Sequence, residues 1–223
     1  MKRLFFIMIA FCFIAVSIST SFAGTQLWTF DSGADDWKVA NGNWSVEDGV
    51  YKLARGGQAE HSLVGETTWE DYTVETKIRI DEHNWAGIAF RAKSEMEYYV
   101  FYMNVPNNKT ELWRHKTGGW TARDNLKQLP AVGVTIENGK WFDMKVVVDG
   151  DSMAVWIDGE LQGEHIDDTA AKYSAGQAGA WGWQTGVSFD DFKVSGDAIE
   201  GNITPVEPLD KLATTWGRIK RDR

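Results

Sequence analysis

Tyr72-Thr73-Val74-Glu75-Thr76-Lys77-Ile78-Arg79-Ile80 is the stretch whose reading decides the fold. Tyr72, Val74, Thr76, Ile78 and Ile80 fall on one side of an extended chain, and Thr73, Glu75, Lys77 and Arg79 fall on the other. Successive side chains of a strand point to opposite faces, so this alternation predicts an antiparallel strand with one face in a core and one in water. The same period of two recurs in Ala86/Ile88/Phe90 against Trp85/Gly87/Ala89/Arg91, in Phe142/Met144/Val146/Val148 and in Met153/Val155/Ile157. From Gly24 to Ser195 no long window carries helical periodicity. Between the runs sit Asp48-Gly49, Asp149-Gly150, Asp158-Gly159, Asn41-Gly42 and Asn138-Gly139, dipeptides suited to the positive backbone angles of tight hairpins. Short strands punctuated in this way predict an all-β sandwich or barrel.

The ends read differently. Lys2-Arg3, the apolar run from Leu4 to Val16 and the small-x-small close Ser21-Phe22-Ala23 predict a secretory signal peptide over residues 1–23. Its apolar run falls short of the roughly 20 residues a spanning helix needs. The domain proper is expected over 24–195, a polar linker over 196–206, and an amphipathic helix over 207–223 striped with Leu209, Leu212, Trp216 and Ile219. That stripe would either pack on the sandwich or dock on another protein. Cys12, the lone cysteine of the 223 residues, lies in the removable segment, so the mature chain has neither disulfides nor a thiol nucleophile. An exported chain without cysteine points to a secreted or periplasmic, bacterial-envelope location. The formal charge of −9 repels phosphate backbones and argues against nucleic acid as a partner.

Several ordered motifs carry a family resemblance. They begin with Phe30-Asp31 and Trp37, Gly42-Asn43-Trp44-Ser45-Val46-Glu47-Asp48-Gly49, and Trp69-Glu70-Asp71-Tyr72. Ala86-Gly87-Ile88-Ala89-Phe90-Arg91, Tyr98-Tyr99-Val100-Phe101, Trp141 with Lys145-Val146-Val147-Val148, and Phe189-Asp190-Asp191-Phe192 follow. Over residues 25 to 195 this order resembles the concanavalin A-like jelly rolls, in particular laminin-G-like domains and 3-keto-disaccharide hydrolase (3-keto-glucoside lyase/hydratase) domains. The resemblance implies two antiparallel sheets packed face to face, one of them concave, with glycans the usual ligand of the concave face.

Catalytic glucanases of this fold carry Glu-x-Asp-x-Glu or a bulged variant on one strand, a run this chain lacks; glycoside hydrolysis needs two carboxyls flanking the scissile bond. Proton abstraction beside a ketone needs only one base and a stabiliser of the developing charge. The resemblance suggests Glu75 as that base and Arg91 as a substrate clamp, the alternative being an ion pair on an open sheet. His61, His83, His115 and His165 are scattered, each near a predicted turn or strand end, and most are expected to be solvated. Sugars present apolar ring faces rimmed by hydroxyls, so Trp85, Trp113, Trp120, Trp181 and Trp183, with Arg91 and Tyr99, are the candidate glycan ligands. Jelly rolls of this kind often hold one structural Ca²⁺, for which Asp31, Asp190 and Asp191 are the candidate oxygen donors. A glycan-binding module is the leading function, ahead of a 3-keto-glycoside hydrolase or lyase, with a structural or adhesive envelope protein as the third reading.

Overall fold

The computed structural model describes residues 24–82, 84–167 and 172–202, with the side chains of 165–167 left aside. The predicted signal peptide, the C-terminal helix and His83 lie outside the described residues.

The chain forms two antiparallel sheets packed as a jelly-roll sandwich. The eight-stranded sheet runs β13 (Glu160–Asp167), β12 (Ser152–Ile157), β11 (Trp141–Asp149), β6 (Tyr72–Ile80), β15 (Val187–Gly196), β4 (Val50–Leu53) and β3 (Trp44–Glu47), with β1 (Gly24–Trp28) also pairing with β15. The seven-stranded sheet runs β10 (Arg123–Pro130), β9 (Lys109–His115), β8 (Tyr98–Asn104), β7 (Trp85–Ala92), β14 (Gln177–Trp183), β5 (Glu60–Val64) and β2 (Lys38–Val39). The strand quoted first is β6, in mid-sheet between β11 and β15. Its even-numbered side chains are buried as the alternation requires, and Thr76 keeps its hydroxyl satisfied by donating to Asp190 O at 2.9 Å.

Val74, Ile78, Val146 and Phe189 from one sheet meet Ile88, Phe90, Tyr99 and Phe101 from the other in a continuous core. Removing this apolar surface from water, at about 25 cal/mol per Å² buried, is the main favourable term in holding the sheets together. A second apolar cluster lies on the outer side of the seven-stranded sheet, where Leu63, Ala89, Tyr98, Val100, Tyr102, Trp181 and Trp183 pack with Trp85 and Trp113. Strand β8 is consequently buried on both faces.

The chain does not leave the domain at residue 196 as a linker. Ile199 is buried, and Asn202 grips Leu27 by accepting from its N–H at 2.8 Å and donating to its carbonyl at 3.2 Å. Residues 197–202 thus run back along β1.

Candidate functional site

The outer face of the seven-stranded sheet is assembled by strand parity. Trp85 comes from β7, Tyr98 and Tyr102 from β8, Glu111, Trp113 and His115 from β9, Arg123 from β10, Trp181 and Trp183 from β14, and His61 from β5. Cross-strand register sets their neighbours: Tyr98 opposite His115, Tyr102 opposite Glu111, Trp181 opposite His61 and Trp183 opposite Trp85. Tyr102 stacks on Trp181 at 5.0 Å and on Trp85 at 5.8 Å between ring centroids, and Trp85 lies 5.3 Å from Trp183. Such aromatic pairs add about 0.5–1.5 kcal/mol each beyond their burial. Between Trp181 and Trp183, Gly182 faces inward, where an added Cβ would come within 2.6 Å of the Leu53 side chain. The small residue is what lets two adjacent bulky outward side chains sit over a close sheet-to-sheet contact.

Trp120 reaches over this face from the β9–β10 turn and meets Trp183 edge-on at 5.2 Å. Gly118 and Gly119, at φ 126° and 83°, give the turn the backbone angles that bring it there. The Arg123 guanidinium lies 4.6 Å from the ring centres of both Trp113 and Trp183 and 5.7 Å from that of Trp120. The five tryptophans singled out from sequence therefore meet on one face. Their exposure differs sharply: Trp181 is fully covered, Trp85 and Trp113 are half-buried, and Trp120 is 43% exposed.

Glu111 anchors one side. Its carboxylate accepts from Tyr102 Oη, Asn104 Nδ2 and Trp113 Nε1, each at 2.8 Å, and from Gln128 Nε2 at 3.1 Å. Four donors use up its acceptor capacity and fix the Trp113 ring. At the other side lies a pocket of about 240 Å³, lined by His61, Tyr98, His115, Trp120, Asn41 and Gln58, with room for a single sugar ring. The Tyr98 ring lies 4.6 Å from both His115 and His61. His61 Nδ1 sits 2.9 Å from Ala59 O, which assigns the proton to Nδ1 and leaves Nε2 as an acceptor. Among the described residues the Nε2 atoms of both histidines are buried without a hydrogen-bond partner of good geometry, the Glu95 main chain lying beside the His61 ring. Burial, with the charges of Arg123 and His61 behind it, pulls His115 down to about 3, and burial lowers His61 as well. Both rings are neutral near pH 7, contrary to the solvated histidines expected from their scatter. The spacing Glu111, Trp113, His115 was the missed signal, because i, i+2, i+4 on a strand is one face.

Three sequence assignments change. Tyr99 points into the core, fully buried, where its hydroxyl accepts from Tyr173 N at 3.0 Å; Tyr98 and Tyr102 are the outward pair. Arg91 leaves the aromatic face because β7 bulges, setting Phe90 and Arg91 opposite Ala178 alone, with Arg91 at φ 45°. Its side chain is 1% exposed and is held by Glu70 O and by Asp71 at 3.2 Å each. Glu75 and Arg91 do not form a site together, because β6 and β7, consecutive in sequence, belong to opposite sheets. Glu75 lines a larger open groove of about 760 Å³ on the outer side of the eight-stranded sheet. There it pairs with Lys193, and Lys77 pairs with Asp191 at 2.6 Å, so the groove's charges are mutually compensated. Size alone does not make this groove the site: its one indole, Trp156, has Lys145 4.7 Å over its ring, and it lacks the cluster of aromatic rings and the unpartnered buried polar atoms of the opposite face.

Of the three aspartates considered for Ca²⁺, one is set apart from the other two. Asp191, at φ 47° in the bulge of β15, is taken by Lys77. Asp190 is held above the usual carboxyl range by burial, with the charges of Asp191 and Asp31 adding to it, so Asp31 and Asp190 remain within electrostatic reach of each other. Among the described residues no group of three or more His, Cys, Asp or Glu side chains is placed to hold a metal, and no helix is long and apolar enough to cross a membrane.

Two antiparallel sheets packed face to face make the chain a jelly-roll sandwich. More narrowly, the chain belongs to the 3-keto-alpha-glucoside-1,2-lyase-like domain family, whose model matches residues 25–195. It is 29% identical over 147 residues to the extracellular exo-alpha-L-arabinofuranosidase of Streptomyces chartreusis, a match covering 64% of this chain and only 17% of that enzyme. Among solved structures it is similar to the carbohydrate-binding module CBM66 from Bacillus subtilis, with a TM-score of 0.62, 19% identity and coverage of 71% of this chain and 94% of that one. It is also similar to the Bacillus licheniformis β-glucanase, with a TM-score of 0.55, 10% identity and coverage of 77% and 97%. At these identities the likeness is one of fold.

Proposed function

We propose that this is an exported glycan-binding domain that holds a sugar on the outer face of its seven-stranded sheet. The carrying observation is the juxtaposition of exposed Trp120 and half-buried Trp113 with a 240 Å³ pocket whose two imidazoles have unpartnered Nε2 atoms. The indoles supply apolar platforms for a ring face, and the imidazole nitrogens accept from hydroxyls. The carbohydrate-binding neighbour and the arabinofuranosidase relative support a carbohydrate ligand, and that relative's extracellular name supports export, as the Lys2-Arg3 leader does. We also read the Asp31–Asp190 pair as a place for one structural Ca²⁺, its other oxygens coming from main chain or water.

Binding is favoured over turnover on chemical grounds. Glu111 has its acceptor sites filled, and a neutral imidazole whose conjugate acid titrates near 3 is a weak base at pH 7. The family's lyase description keeps an enzymatic second reading in view. A glycan array followed by calorimetry tests both. Wild-type protein should bind at least one oligosaccharide, and Trp120→Ala should weaken that binding by about tenfold or more, in line with the 1–2 kcal/mol or so a stacked aromatic contributes. Absence of any binding tighter than millimolar overturns the proposal. Release of sugar from a 3-keto-glucoside on incubation would replace it with the lyase reading.

A further inference from the structure

Arg123 stands apart from every other described arginine. Arg55 has Glu82 at 3.0 Å, Arg79 has Asp81 at 2.6 Å, Arg91 has Asp71 at 3.2 Å and Arg114 has Asp124 at 2.5 Å. Among the described residues Arg123 has no carboxylate within ion-pair distance, and its Nη1 is buried with no hydrogen-bond partner. What surrounds it is aromatic: Trp113 and Trp183 at 4.6 Å each and Trp120 at 5.7 Å. The rings hold the cation and orient its planar fork, but they offer no oxygen acceptor. Its charge acts across the whole basin, disfavouring protonation of His115 and favouring ionisation of Tyr98 and Tyr102. A chain with 32 acidic against 23 basic residues has thus kept one guanidinium uncompensated at its aromatic platform.

Resting on the glycan-binding reading, we infer that the site selects an acidic sugar, with Arg123 receiving the carboxylate of a uronic acid residue whose ring lies against Trp120. A carboxylate matches the guanidinium fork with two parallel N–H···O bonds, and charge-assisted bonds of this kind are roughly twice as strong as neutral ones. Trp120 is the part that must yield: it rests on Arg123 and Trp183, and its turn passes through Gly118 and Gly119, the latter with no atom within 4 Å of where a Cβ would stand. Rotation of this indole uncovers the guanidinium without disturbing a strand.

The test compares trigalacturonate with its fully methyl-esterified form and with the neutral galactose trimer, using the unmodified chain in calorimetry. The acid should bind at least about tenfold more tightly than its ester, with an affinity that falls as salt rises. Arg123→Gln should erase that preference, and Arg123→Lys, which keeps the charge without the fork, should retain only part of it. Equal binding of acid and ester, or preference for the neutral trimer, overturns the acidic-sugar assignment while leaving glycan binding intact. If none of the three probes binds, the acidic-sugar assignment falls, and the glycan array decides the binding reading separately. The ester comparison requires no variant, so its outcome does not depend on how the substitutions fold.

Discussion

Tyr98 and His115 lie face to face, their ring centroids 4.6 Å apart and their planes 10° from parallel, on adjacent strands in direct register. Tyr98 also accepts from Trp181 Nε1 at 3.3 Å, and Arg123 bears on both Tyr98 and His115. A protonated imidazole is thus excluded by burial and by a nearby cation. The unfolded chain binds this proton near the ordinary histidine value of 6.5, whereas the folded chain does so only near 3. The native state therefore has its full stability above pH 6.5 and loses it progressively as pH falls toward 3. Urea titrations at pH 7.5 and pH 4.5 should show a drop on the order of 2 kcal/mol from this group, within the total loss. His115→Phe should have a smaller drop over the same interval, and an unchanged pH dependence would refute the assignment.

Tyr72 joins the two sheets at one end of the sandwich. Its buried hydroxyl accepts from Arg91 N at 2.6 Å and donates to Gly176 O at 3.1 Å. Tyr72→Phe leaves a buried N–H and a buried carbonyl without that partner and should cost about 1–3 kcal/mol in chemical denaturation. A cost below 0.5 kcal/mol or so would mean that water takes over both bonds.

Glu111→Gln replaces one acceptor oxygen by an amide group facing donors. It should destabilise the domain by about 2–3 kcal/mol and free the Trp113 ring, visible as a change in tryptophan fluorescence. Glycan affinity should fall with it, since Trp113 flanks Arg123. Retention of both stability and affinity would show that the Glu111 network does not position the platform.

Calcium should raise the melting temperature if it binds between the first and last strands. The expected outcome is a shift of several degrees between EDTA and millimolar Ca²⁺, abolished in Asp190→Asn, because a ligand that binds only the folded state stabilises it by mass action. Identical melting curves in the two buffers would remove the ion from the account.

Alternation in β6, β11 and β12 made the two-sheet architecture readable, because each of these strands has one wet face and one dry face. The site was only partly readable, for the same physical reason in reverse. Strand β8 is aromatic on both faces, so parity could not tell Tyr99 from Tyr98 and Tyr102. In β7 a single bulged residue turned Arg91 away from the face that Trp85, Gly87 and Ala89 share. The segment after Ile80 crosses to the opposite sheet, which separates Glu75 from Arg91 by the thickness of the core. Arg123 and Glu111 carry no motif; their meaning arises from which strands lie beside them.

The return of residues 197–202 along β1 also fixes the traffic of the chain. Gly24 and Asn202 emerge together at the edge of the eight-stranded sheet, and the tryptophan platform belongs to the other sheet. The two ends of the described domain are therefore neighbours beside the sheet that does not carry the platform. A bead coupled through a side chain introduced at that shared edge, beside Gly24 or Asn202, should leave the sugar-facing sheet open to polymeric ligands.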